Sequence, residues 1–206
     1  MAEFEHCFTA MAGPCRFRLY GDETLLLDAA LAAEAEVRRL EARYSRYRDD
    51  SLTSQINRAA GSGNPVAIDM ETAGLLQYAE TAWRESDGLF DLTSGILRQA
   101  WDFKSGKLPE TGAVEALLPR VGWDKLRWQP DTIELTEPGM EIDFGGCVKE
   151  YACDSALAVL RQANVEAALV DLAGDMAVLG TPPGQAGWSI GIRHPRQQAQ
   201  AIAQLT

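Results

Sequence analysis

Apolar and polar residues alternate over Phe4–Thr9 and again over Cys15–Tyr20, on either side of an Ala-Gly-Pro turn, which predicts two paired strands. The period then changes. Leu26, Ala30, Ala33, Val37 and Leu40 recur at helical spacing and predict a helix over Glu23–Tyr44. A second apolar stripe, Leu75, Tyr78, Ala79 and Ala82, follows the N-cap residue Asp69 and predicts a helix over Met70–Glu85. Asp49-Asp50-Ser51 can cap a short helix ending near Asn57, and Ala59–Pro65 reads as a turn. Ser86–Gly95 has loop composition, and Thr111–Val121 has the spacing of a third helix. Short strands are expected at Leu126–Trp128, Thr132–Leu135, Val165–Leu172, Met176–Gly180 and Trp188–Ile192, with a helix over Val148–Gln162. Strands and helices mix without strict alternation, so the fold class is α+β with a largely antiparallel sheet. No repeat or linker divides the chain, and residues 1–206 read as a single domain.

Composition narrows the function. The chain is 46% hydrophobic and 24% charged, ordinary for a globular protein. A net charge of -11 repels polyanions, so nucleic acid is excluded as a partner. No run of apolar residues is long enough to span a membrane. The N-terminus has neither the basic region nor the apolar core of a secretory signal, so the expected location is cytoplasmic, or periplasmic if a leader has been removed. Cys7, Cys15, Cys147 and Cys153 form no C-x-x-C pair, and with two histidines the chain offers no zinc pattern. Reduced, mostly buried thiols are expected.

The stretch EIDFGGCVKEYACDSALAVL, Glu141–Leu160, carries the chemistry. It starts as a strand, turns through Gly145-Gly146 and enters a helix. A glycine turn into a helix N-terminus offers unpaired N–H groups and the positive end of a dipole, which together favour an anion. Lys149 adds a cation in the first turn, and Asp154 can accept from a ligand hydroxyl. The plain alternative is a tight turn with a solvated Lys149 and a surface Asp154.

Six motifs, in order across the chain, resemble the ApbE family of flavin transferases (FAD:protein FMN transferases). Ala10–Pro14, AMAGP, is similar to the family's MGTP. Tyr44–Asn57, YSRYRDDSLTSQIN, resembles lStYrpdSelsrlN, and SDGLFDLTSG resembles tgGaFDptvg. Ile142–Asp154 resembles iDlggiaKGyavD, Ala168–Gly180 resembles a nalvn.GGdi…G segment, and WSIGIRHP resembles W.igi.dP. The resemblance implies an ApbE-like, T-fold-related architecture with its C-terminal part absent, so that 1–206 is a single incomplete flavin transferase domain. It also implies transfer of FMN from FAD to a threonine of a partner flavoprotein, with release of AMP and with magnesium as the assisting ion. Carried onto matching residues, it places Met11, Tyr47, Leu89, Phe90, Asp91, Lys149, Tyr151 and Asp154 on FAD, and the carbonyl of Val148 on Mg2+. Trp83, Trp101, Trp123, Trp128 and Trp188 match no ligand position and are expected in core or edge packing.

The chain departs from the family pattern in several places. Glu150 stands where the pattern has glycine after the lysine, and a carboxylate there opposes phosphate unless it points away. Ala12 and Ala173 also replace glycines. The chain stops at Thr206, before a TSGdyer segment, an HiidP.tG segment and the late Asp and Thr that hold magnesium in the family. The expectation is that these 206 residues alone are not a competent transferase. Two further readings follow: a non-catalytic or degenerate FAD-binding domain, and an FAD pyrophosphatase that passes FMN to water. No general base is assigned.

Overall fold

A computed structural model describes residues 1–102, 105–197 and 200–205. The chain opens with strands β1 (Ala2–Ala10) and β2 (Gly13–Gly21), then helices α1 (Glu23–Tyr44) and α2 (Leu52–Arg58). Strand β3 (Val66–Ala67), helix α3 (Met70–Glu85) and strands β4 (Leu126–Gln129) and β5 (Thr132–Leu135) follow. Helix α4 (Val148–Gln162) and strands β6 (Ala167–Leu172), β7 (Asp175–Leu179), β8 (Ile190–Arg193) and β9 (Ala201–Leu205) complete it. Two units result. The first comprises residues 1–41 and 149–206, the second residues 42–148.

In the first unit the strands pair antiparallel in the order β1-β2-β6-β7. Alternation decides which face is covered. Phe17 and Leu19 of β2 are fully buried, while Arg16 and the acidic residues of β1 face outward. Nearly every residue of β6 is buried, which explains its continuous apolar run. Leu26, Ala30, Ala33, Val37 and Leu40 form the buried stripe of α1. Polar pairs fix α1 along β1: Glu34 meets His6 at 2.5 Å, and the Arg38 guanidinium lies over the Phe8 ring. Tyr20, Ala167, Leu169 and Trp188 form a smaller cluster, and the Trp188 indole donates to the Gly180 carbonyl at 3.0 Å. Strands β8 and β9 pair as a hairpin.

The second unit combines α2 and α3 with a sheet in the order β3-β5-β4. Ser51 caps α2 and Asp69 caps α3, each through its side-chain oxygen, as their sequence positions predict. Two expectations need correction here. Thr111–Val121 is not an α-helix but a series of turns with a 3-10 turn at Leu118–Arg120. Gly112 takes φ +84 at its start, Pro119 lies near its end, and Ala113, Val114 and Leu117 are only half-buried, so no buried face offsets helix nucleation. The loop expected over Ser86–Gly95 instead runs into a 3-10 helix at Leu92–Gln99, because Asp91 accepts from the Thr93 N–H at 2.8 Å and so caps it. Strands β3 and β9 carried no sequence signal long enough to predict them.

Candidate functional site

In the second unit the site is built around one extended segment, Met140–Asp143. Asn57 of α2 grips it twice: its amide oxygen accepts the Ile142 N–H at 2.8 Å, and its amide nitrogen donates to the Ile142 carbonyl at 3.1 Å. On the other side the Asp143 N–H donates to the Leu92 carbonyl at 3.0 Å, and Arg98 and Gln99 hold Glu141 at 2.8 and 2.6 Å. The 3-10 helix approaches so closely that a Cβ on Gly95 would lie 2.9 Å from the Asp143 backbone nitrogen, which explains glycine there.

Asp143 then turns the chain. Its carboxylate accepts from the Gly145 N–H at 3.0 Å and is held by Arg46 at 2.7 Å. The Cys147 N–H donates to the Phe144 carbonyl. Two donors of the Gly-Gly turn are therefore already paired. Gly146 needs its missing side chain because a Cβ there would meet the Phe90 ring at 3.0 Å.

A cavity of about 370 Å³ opens over this frame. Leu89, Phe90 and Asp91 line it together with Arg46, Asp143 and Gly146. Leu89 is 91% exposed, so the loop presents an apolar side chain to solvent at the cavity. Tyr47 is 76% exposed, its ring lies under the Arg46 guanidinium at 5.1 Å, and its hydroxyl accepts from Arg46 at 3.0 Å. Val148 is buried at the start of α4.

In the first unit Met11 forms the β1–β2 turn with Ala12, and both take left-handed backbone, φ +50 and +63. The Met11 N–H is held by Glu41 at 2.5 Å. The β6–β7 turn, Ala173-Gly174, likewise has two positive φ values, +58 and +108, and packs beside it: the Ala173 N–H donates to the Pro14 carbonyl at 3.0 Å. Both alanines that replace the pattern's glycines thus sit where an L side chain is strained. Lys149 pairs with Asp175 at 3.2 Å rather than standing free in solvent. The Cys153 thiol donates to the Asp175 carbonyl oxygen, and burial first, then the Asp175 charge, pushes it up to about 12. Tyr151 is half-buried, whereas Asp154 and Glu150 are exposed.

Three residues of consequence were not singled out by sequence. Asn57 carried a signal as the last residue of the second motif. Arg46 carried one as a departure, standing at the pattern's threonine in lStYrpdS. Trp101, expected to pack in a core or edge, instead lines the cavity and is 37% exposed. Nothing in its local sequence distinguishes it from the other tryptophans.

Among the described residues no three His, Cys, Asp or Glu side chains gather as a metal site. In the second unit Asp143 is engaged by Arg46; in the first, Asp175 is engaged by Lys149 and Asp171 by the Gly174 N–H. Within neither unit do these acids by themselves offer the several free oxygen ligands that magnesium takes.

The sequence profile described as the ApbE family matches residues 11–206. The chain is 29% identical over 203 residues to a FAD:protein FMN transferase of Klebsiella pneumoniae, covering 97% of this chain and 61% of that protein. It is 28% identical to one of Treponema pallidum, covering 92% of this chain and 57% of that protein. The chain thus spans about 60% of the length of the curated relatives it matches. An ApbE protein of Thermotoga maritima superposes with a TM-score of 0.88 at 24% identity, over 98% of this chain and 67% of that one. The α+β, ApbE-like architecture expected from the motifs is the observed one.

Proposed function

The chain belongs to the ApbE family, and from that premise we propose that it takes part in transferring FMN from FAD to a threonine hydroxyl of a partner protein. The observation that carries this is the loop Leu89–Asp91 on an open cavity whose floor is the Asp143–Gly146 turn. A partly apolar cavity with a few fixed polar groups is what a flavin ring needs. Leu89, Phe90 and Trp101 of its lining supply apolar and aromatic surface, and the exposed Tyr47 ring is proposed to add to it. Asp91 is fixed by capping the 3-10 helix, so its backbone is held for contact. In the first unit Met11, Lys149, Tyr151 and Asp154 are the further residues proposed to touch FAD. Lys149 would leave Asp175 for a phosphate, exchanging one charge-assisted bond for another.

In the proposed reaction the threonine oxygen attacks the phosphorus on the FMN side of the pyrophosphate. A P–O bond to threonine forms, the P–O bond to AMP breaks, the hydroxyl proton passes to solvent or to the departing phosphate oxygen, and AMP leaves. Catalysis of this kind is positioning and charge stabilisation. Magnesium belongs to the proposal through the family resemblance alone, and no step is assigned to it. Glu150 is exposed in the first turn of α4.

The test is calorimetric titration with FAD and FMN, followed by AMP release and covalent flavin on a threonine-containing acceptor, with magnesium and after chelation. The expected result is tighter binding of FAD than FMN. Equal or absent affinity for both flavins overturns the proposal. AMP release without covalent flavin would favour the pyrophosphatase reading.

A further inference from the structure

The second unit has another cavity, of about 350 Å³. Four arginines line it, Arg46, Arg58, Arg98 and Arg120, against two acids, Asp49 and Glu141. Arg46 and Arg98 also line the flavin-loop cavity, so the two cavities share a wall. The arginines are not equally occupied. Arg46 holds Asp143 and Arg98 holds Glu141. Arg58 donates to a backbone carbonyl, that of Asp49, and makes no ion pair among the described residues. The Arg120 side chain makes no hydrogen bond or ion pair among the described residues, and its guanidinium lies by Gly139.

In a chain of net charge -11, such a cationic cavity is a local reversal of the field. Arginine forks match carboxylates and phosphates alike. The phosphates of FAD already have a proposed partner in Lys149. The walls Arg58, Arg98 and Arg120 are exposed, which suits a large ligand arriving from solvent. We infer that this cavity binds an acidic segment of the acceptor protein, its carboxylates on Arg58 and Arg120, beside the flavin loop. The inference rests on the transferase reading for its partner, but not on that reading for its charge. It also gives the acidic chain a means of attracting acidic acceptors, since complementary charge steers encounter and fixes orientation.

The experiment compares the purified protein with its Arg58→Glu/Arg120→Glu and Arg120→Gln variants. The probes are a short threonine peptide flanked by aspartates, its asparagine twin, inorganic pyrophosphate and FAD. The wild type is expected to prefer the aspartate peptide by about tenfold, with the preference falling as salt rises. The double variant should erase it and Arg120→Gln should reduce it by about threefold, with FAD affinity unchanged in both. No preference in the wild type, or a preference untouched by the variants, overturns the inference. So does loss of FAD or pyrophosphate binding in the variants, which would give the cavity to the nucleotide. A retained peptide preference in a protein that binds no FAD would support the cavity and sink the transferase reading.

Discussion

In the first unit Met11 turns between two strands of a paired ladder and Lys149, on α4, is tied to Asp175 of that ladder, whereas in the second Phe90 and Asp91 adjoin one extended segment gripped by side chains. Strands β2 and β6 pair over Cys15–Tyr20 and Ala167–Leu172, so the loss of any one contact is shared by its neighbours. The Met140–Asp143 segment lies in no sheet. Its central residue, Ile142, depends on Asn57 for both its N–H and its carbonyl. A ladder spreads its stability, and a single clamp concentrates it.

The comparison breaks most sharply at that clamp. Asn57→Ala should leave two backbone groups of Ile142 unpaired and cost about 3 kcal/mol in denaturant unfolding. Arg16→Ala in β2, whose contact with Asp171 is long at 3.9 Å and half exposed, should cost under about 0.5 kcal/mol. Equal costs would show that the segment is held by something other than Asn57.

Function gives a second, smaller contrast. Lys149→Ala should weaken FAD binding by about 1–2 kcal/mol by titration while folding hardly changes. An unchanged affinity would return Lys149 to a plain ion pair with Asp175.

Alkaline pH should act through the first unit. The Cys153 thiol is raised from 9.0 to about 12, so the folded state keeps its proton where the unfolded chain has lost it. Its stabilisation is complete below pH 9 and is lost as pH rises toward about 12, at about 1 kcal/mol per pH unit. Urea unfolding at rising pH checks this, and Cys153→Ala should reduce that slope, leaving the part due to Cys15 and Tyr20, whose pKa values burial also raises. Exposed Cys7 should react with thiol reagents at pH 8 conditions where buried Cys153 does not.

The smallest expected effect lies in the β1–β2 turn. Ala12→Gly should relieve a left-handed alanine at φ +63 and, after the greater entropy of glycine in the unfolded chain, stabilise by about 0.5 kcal/mol. A loss of stability would mean that the alanine methyl makes contacts that outweigh its strain.

Sequence determined what is local in this protein. Helices α1, α3 and α4 fall on their predicted bounds because side chains three and four positions apart set a buried stripe and Asp69 sets a start. The six motifs, read in order, led to the family because their turns and caps are written in neighbouring residues. Tertiary structure decided the rest. Thr111–Val121 had a helical stripe but received no deep burial, so turns prevailed. Trp101 and Arg46 reached a cavity, and Arg58, Arg98 and Arg120 came together in another, across separations of tens of residues that no local period encodes. Periodicity reports which face of an element is apolar. Which charges meet across a cavity depends on how those elements pack, and each such meeting is fixed by contacts between residues far apart in the chain.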